Sequence, residues 1–363
     1  VLFTVILKII TLPLDFWQRF SMKKNAKMMS ELAPIMAKLD KAYANDKNKL
    51  NQEKQKLYKK HGYNMLSGCL PMIVTMTIFF VMFGGLNQCS AYVNLKVYSE
   101  LSVHYTDTLS AELSKHTEEY ESRRYDILLS GKSTAIEDYK TWLGGQGVEE
   151  SAFDAEISAA TSRISQIKAE AQAEARKAVG EFYLEAKEGF LWITNISRPD
   201  TWVESFPETA EKFTGTLTKK YREYKDEFDS ELYGEIYKGI SEQGVGYKVG
   251  DKHWNGLMIL PVLSIALSFL STFISNKTSK KKNGEEQQLD PNAAAAQSSN
   301  KVMMFVMPVI MGVFGFVYTA TFALYMVCSS LLSILFTLAM NPIIDRRIAK
   351  IESKVEKPDY RRK

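Results

Sequence analysis

The sequence predicts an all-α polytopic membrane protein, with five transmembrane helices, a cytoplasmic helical hairpin and a large helical extracytoplasmic insertion. Three observations predict it. The 46 Lys/Arg and 42 Asp/Glu avoid four windows: Val1–Leu14 apart from Lys8, Cys69–Leu86, Trp254–Asn276 and Val302–Ile344. About 20 apolar residues cross a bilayer core, so the 43 uncharged residues of the last window suffice for two passes. Charge between the windows is also sorted. The stretches 15–68, 276–301 and 341–363 together carry +13, whereas 69–275 carries −10. Basic loops stay on the cytoplasmic side, and five passes fit that rule without conflict. A soluble enzyme is excluded.

Each element follows in order. Residues 1–14 read as transmembrane helix 1, N-terminally truncated, because the chain opens with Val inside an apolar stretch too short to cross alone. Residues 15–68 form the cytoplasmic hairpin. Good helix formers run through it, a break signal stands at Asn45-Asp46-Lys47-Asn48, and Met28, Leu32, Ile35, Met36 and Leu39 give the first arm a packing stripe. Residues 69–86 are transmembrane helix 2, running outward, and 87–253 the extracytoplasmic helical domain.

In that domain one arm carries Leu101, Tyr105, Leu109, Leu113 and Tyr120, and Gly144–Gly147 breaks the helix. A second arm carries Phe153, Ile157, Ala160, Ile164, Ile167, Ala171, Ala175, Ala178 and Phe182 at near-heptad spacing, which predicts an antiparallel hairpin. A third helix is expected through Phe213, Leu217, Tyr221, Tyr224, Phe228, Leu232 and Ile236, stopping at the glycines Gly239, Gly244 and Gly246. Gly189–Ile193, rich in aromatics, suits a membrane interface. Residues 254–275 are transmembrane helix 3, 276–301 a cytoplasmic loop whose Gln/Ala/Ser/Asn-rich part from Asn283 to Asn300 reads as flexible, 302–319 helix 4, 321–341 helix 5 and 342–363 a basic cytoplasmic tail.

Lys8 is the one charge inside an apolar window. Seven residues before Asp15, it sits about 10 Å above the cytoplasmic edge. A lysine there either snorkels to the head groups or faces a wet cavity among the helices. Candidate lining groups exist: Ser264, Ser268, Ser271 and Ser275 share one face of helix 3, Ser329, Ser330, Ser333 and Thr337 are similarly placed on helix 5, and helix 2 offers Thr75 and Thr77. Small residues also serve close helix packing, so both readings of each serine stand. The lysines of the hairpin are either a solvated face or a surface for anionic lipid heads or ribosomal RNA. Catalytic patterns are absent, as is any Asp or Glu within a pass. The three cysteines read as unpaired, and none of the four histidines has metal-ligand spacing, so no metal or cofactor is expected.

Leu12-Pro13-Leu14 after a membrane cation, Met22-Lys23 opening the hairpin, Lys56 to Asn64, and Gly68-Cys69-Leu70-Pro71 opening helix 2 resemble the YidC-type membrane protein insertases. The resemblance resumes at Phe190–Ile193 with Pro199-Asp200, at Ile259–Leu263, at Met303-Met304 through Met307-Pro308, and at Leu324-Tyr325 with Ser329. It implies an insertase and chaperone, not an enzyme, in a bacterial plasma membrane with a cytoplasmic C-terminus. Nascent membrane proteins would enter a cation-bearing hydrophilic groove open to cytoplasm and lipid. Lys8 stands at the family's groove arginine, Thr75 where many members have Gln, and Ser330 where many have Asn.

The implied groove comprises Lys8, Thr75, Ser264, Ser268, Ser271, Ser329, Ser330 and Ser333, and substrate reception falls to Lys23, Lys24, Lys27, Lys56, Lys59 and Lys60. Implied partners are nascent membrane proteins, membrane lipids, the ribosome through the basic cytoplasmic segments, the signal recognition particle pathway and the Sec translocon. The competing reading is a membrane-anchored scaffold whose extracytoplasmic coiled-coil domain binds envelope proteins.

Overall fold

A computed structural model describes residues 2–61, 66–280, 306, 308–310 and 312–352. The expected flexible loop from Asn283 to Asn300 and the last residues of the basic tail lie outside the described residues. The described chain is mostly helical. It divides into two compact units: Val1–Asn87 with Pro199–Thr201 and Met258–Lys363, and Gln88–Arg198 with Trp202–Leu257. Two helical stretches are long and apolar enough to cross a membrane, Met76–Ser114 and Ala320–Ile351, and Ile259–Ile274 and Pro308–Val317 are shorter apolar helices.

In the first unit, α1 (Leu2–Ala42) is continuous over 41 residues, about 60 Å of helix. It accommodates Pro13 and Pro34 in its interior. The break expected around Asn45 is present: Asp46 caps α2 (Lys47–Lys60) by accepting the Lys49 amide at 3.0 Å. Leu32 and Met36 of the predicted stripe are buried. Tyr58 donates to the Met36 sulfur at 3.7 Å, and the nearly buried Lys54 ammonium meets Asp40 at 2.6 Å, joining α2 to α1.

The remaining helices of this unit are α3 (Leu66–Ser114, shared with the second unit), α10 (Ile259–Lys280), α11 (Pro308–Val317) and α12 (Ala320–Glu352). Gly312 lets α11 approach α10, since a Cβ there would overlap the Ile265 side chain. Phe79 and Phe83 of α3 pack edge-on against Phe322, and Phe83 meets Tyr318 at 4.6 Å between centroids. At the other end of α12, Lys23 pairs with Asp345 at 3.0 Å and Arg347 lies over the rings of Phe16 and Phe20.

The second unit differs from the sequence reading in several places. The expected single third helix is broken into α8 (Ala210–Thr216), a 3₁₀ turn over Arg222–Glu227 and α9 (Ser230–Glu242). Leu217 and Phe228 adopt extended backbone, and Asp229 caps α9 through the amides of Glu231 and Leu232. Local capping thus overrides a helical spacing of apolar residues, although Phe213, Leu217 and Ile236 are all buried.

α9 runs through Gly239 and ends at Glu242, before Gly244 and Gly246, both at positive φ. Gly239 and Gly180 form the crossing point with α7 (Phe153–Ala186), where a Cβ on Gly239 would overlap the Arg176 carbonyl and one on Gly180 the Gly239 carbonyl. The crossing also shifts the predicted seam. After Ala175 the buried residues are Val179 and Tyr183, while Ala178 and Phe182 are half-buried. Phe182 instead stacks on His104 at 4.7 Å.

The antiparallel arms are joined by more than a break. Between α3 and α7 lie α4 (Thr117–Arg123), α5 (Tyr125–Leu129) and α6 (Ala135–Gly145), which close a second small core of Tyr125, Tyr139, Leu143, Ala160 and Ile164. A strand hairpin also appears where the sequence reading placed only glycine breaks and the start of helix 3. β1 (Tyr247–Val249) pairs antiparallel with β2 (Lys252–Trp254), and Gly250 supplies the positive φ at the first position of the two-residue turn.

Candidate functional site

On α1, Thr4, Lys8, Thr11 and Asp15 fall at i, i+4, i+7 and i+11, one face of the helix. Thr4 is 4% exposed, and the Lys8 and Asp15 side chains are 16% exposed each. Ile6, Ile9 and Ile10 on the remaining faces are 49%, 59% and 65% exposed. The same inversion holds elsewhere in the unit. Leu331, Leu335 and Leu338 of α12 and Val262, Leu270 and Phe273 of α10 are exposed, whereas Ser264, Thr337 and Asn341 are buried. A fold that turns isoleucines outward and hydroxyls inward is matched to an apolar surrounding.

Lys8 does not stand alone on its helix. Its ammonium meets the Asp15 carboxylate at 2.9 Å, two turns toward the end of α1 that carries the hairpin. Thr11, between them, donates to the Lys8 carbonyl at 3.2 Å. Arg19, one turn beyond Asp15, is half-buried; desolvation lowers its affinity for the proton, and the Asp15 charge acts in the opposite sense.

The predicted serines divide by environment. Ser268 of α10 and Ser330 of α12 come together, their hydroxyl oxygens 3.3 Å apart, which is the one contact between two predicted groove residues among those described. Ser329 is half-buried, one turn after Tyr325 on α12. Ser271 and Ser333 are half-buried, and the Ser333 carbonyl accepts from Thr337. Ser264 is 2% exposed, donates to the Pro261 carbonyl at 2.8 Å and lies where a Cβ on Gly315 would touch it, so its place is a helix contact. Thr75 lies on α3, with its side chain outside the described ones.

Of the predicted reception lysines, Lys23 is tied to Asp345, Lys27 is half-buried and Lys24 is exposed. Lys56 is 70% exposed beside Glu53, and Lys59 and Lys60 are exposed at the end of α2. An exposed pair of this kind contributes little to stability, and those ammonium groups remain presented to solvent.

Sequence reasoning missed the roles of Asp15 and Asp200. The spacing of seven between Lys8 and Asp15 was a usable signal, because it equals two helical turns. Asp200 had no local one. It is fully buried and accepts the amides of Met258 and Leu260 at 3.2 and 2.8 Å, capping α10 from 58 and 60 residues away.

A family model described as 60Kd inner membrane protein matches residues 1–129 and 177–347. Among curated relatives, "Membrane protein insertase YidC" of Fusobacterium nucleatum subsp. nucleatum is 43% identical over 88 residues, 24% of this chain and 41% of that protein. The protein of the same name from Clostridium perfringens is 42% identical over 82 residues, 23% of this chain and 33% of its own length. That of Helicobacter pylori is 41% identical over 83 residues, 23% of this chain and 14% of its own. Each of these matches spans less than half of the relative. No solved structure matches the chain. The family match takes in Lys8, Asp15 and the serine-bearing helices α10 and α12 and leaves out only 130–176 and 348–363, so the chain belongs to the 60Kd inner membrane protein family.

Proposed function

We propose that the protein is a membrane protein insertase and chaperone, which receives nascent membrane proteins in a cation-bearing hydrophilic groove open to cytoplasm and lipid and releases them into the bilayer. The observation that carries this reading is the inward polar face of α1, with Lys8 at its centre, inside a unit whose exterior is apolar. A cation in a recess of low dielectric attracts an acidic translocating tail, and hydroxyls along the path lower the cost of passing polar residues through the apolar layer. Ser268, Ser271, Ser329, Ser330, Ser333 and Thr75 are the proposed lining, with Ser264 as its packed margin. Lys24, Lys56, Lys59 and Lys60, exposed on the cytoplasmic hairpin, receive the substrate, and Lys23 and Lys27 flank them. The ring cluster of Phe79, Phe83, Tyr318 and Phe322 closes the groove on the outer side. The mechanism uses binding and release alone, with no bond made or broken and no cofactor.

Depletion of the protein should stop insertion of small membrane proteins with short translocated tails, and re-expression should restore it. Intact insertion combined with a disordered envelope would instead favour a scaffold whose extracytoplasmic domain binds envelope proteins.

Five passes with a cytoplasmic C-terminus are part of the proposal, supported by the charge sorting of the sequence. Cys89 is exposed and Cys328 half-buried. In intact cells an impermeant maleimide is expected to modify Cys89 and to spare a cysteine placed at Lys59 until the membrane is opened. Labelling of the Lys59→Cys position from outside would reverse the orientation.

A further inference from the structure

The Lys8 ammonium already has an anion. Its partner is the Asp15 carboxylate at 2.9 Å, and both side chains are 16% exposed. At i and i+7 the two α-carbons are separated by about 10 Å of helix rise, so both side chains must extend along the helix to meet. A short aspartate and an outstretched lysine lose side-chain freedom in that geometry, which makes the pair a contact that a better-placed carboxylate can replace. Pro13 lies between them within the helix and removes one backbone donor there, leaving this stretch of α1 less rigidly bonded than its neighbours.

Asp15 has a second cation at hand. Arg19 follows at i+4, where opposite charges on a helix surface come within reach. Its charge and that of Asp15 act on each other, and burial makes the guanidinium costly to leave uncompensated. The arrangement is a row of three charges, plus, minus, plus, along one face of α1.

We infer that Asp15 is the internal counter-ion of the groove: it occupies Lys8 until an acidic residue of the substrate takes its place, and then passes to Arg19. This inference rests on the insertase reading and adds a specificity-determining role for a residue outside the substrate contact itself. At rest Lys8 is already compensated by Asp15, so an apolar tail gains nothing from it and an acidic tail must compete for it. Exchange takes one ion pair to two: Lys8 keeps a carboxylate throughout, and Asp15 exchanges the ammonium for the Arg19 guanidinium. Asp15 thereby sets how strongly insertion depends on substrate charge.

The test uses the full-length protein in cells depleted of the native copy, with two matched substrates that differ only in an acidic or a neutral translocated tail. Insertion is read as the acidic-to-neutral ratio, normalised to abundance of the variant. Asp15→Asn frees Lys8 and should raise the ratio about fivefold. Arg19→Gln removes the destination of Asp15 and should lower it by a similar factor. Asp15→Glu should stay near the starting ratio, because a carboxylate remains. A purely structural ion pair predicts that Asp15→Asn and Arg19→Gln depress both substrates alike and leave the ratio unchanged, and that result would overturn the proposal. If Asp15→Asn fails to accumulate, Asp15→Ser and the Arg19→Gln arm decide the matter alone. Failure of the insertase reading looks different, since depletion itself would then leave both substrates inserted.

Discussion

Lys8→Met is expected to reduce insertion of substrates with acidic translocated tails about tenfold or more, while Lys8→Arg retains it. The Met variant keeps the length of the side chain and removes the charge. Two effects then act in the same direction. The attraction for a carboxylate disappears, and Asp15, 16% exposed, is left without the ammonium that now meets it at 2.9 Å. Truncating one member of a largely buried pair costs roughly 2–5 kcal/mol, much of it from the stranded partner, and each 1.4 kcal/mol is about tenfold. Arg preserves charge and reach, and its guanidinium stays protonated where a desolvated lysine can lose its proton. If Lys8 only snorkels, the Met variant removes an intramembrane charge and should be harmless or mildly stabilising. In vivo insertion of an acidic and a neutral substrate, with variant abundance measured alongside, separates these outcomes. Full activity of Lys8→Met on the acidic substrate would leave hydrophobic sliding as the mechanism.

The legibility of this protein in its sequence follows the range of the forces involved. Exclusion of charge from an apolar layer acts along whole helices, so the apolar stretches, and Lys8 as the lone charge within one, could be read from composition. Core residues were legible for the same reason. Leu32, Met36, Leu101, Tyr105, Ile164, Ile167 and Phe213 are all buried, as periodicity predicts. Element ends were not, because they depend on single hydrogen bonds: Asp229 begins α9 at a point where the apolar spacing runs on.

Contacts between distant segments were the least legible. Nothing near Asp200 announces that its carboxylate will cap α10, and nothing near Asn255 announces the buried network in which its side chain bonds the backbone of Asn195 in both directions, at 2.8 and 2.9 Å. The serines show a further limit. Ser264 and Ser268 share one helical face, yet one packs beside Gly315 and the other meets Ser330, because two different helices, α11 and α12, meet that face one turn apart.

Gly239→Leu should destabilise the second unit by about 3 kcal/mol or more, and Gly180→Leu similarly, whereas Gly234→Ala should be neutral or stabilising. The difference lies in what surrounds each position. A Cβ on Gly239 would overlap the Arg176 carbonyl and one on Gly180 the Gly239 carbonyl, while nothing lies within 4 Å of a Cβ on Gly234. Backbone cannot rotate away as a side chain can, so α7 and α9 must separate along the whole crossing. That separation would loosen Val179, Tyr183, Ile236 and Ile240, each at most 3% exposed in one core with Phe213 and Tyr233. It would also part Arg176 from Glu235, now 2.7 Å apart across the two helices. Gly234 is half-buried within the helix with open space for a Cβ, where Ala is favoured over Gly by about 0.5–1 kcal/mol.

Limited proteolysis of the full-length protein from the outer face reads the effect. Gly239→Leu should be cut within 88–257 at a protease concentration that spares the parent and Gly234→Ala. Most of α7 lies in the stretch that the family match leaves out, so the loosened variant also tests whether this unit is accessory. Retained insertion by a Gly239→Leu protein that is cut readily outside would assign insertion to the first unit alone. Loss of insertion at unchanged abundance would place the packed crossing of α7 and α9 within the mechanism.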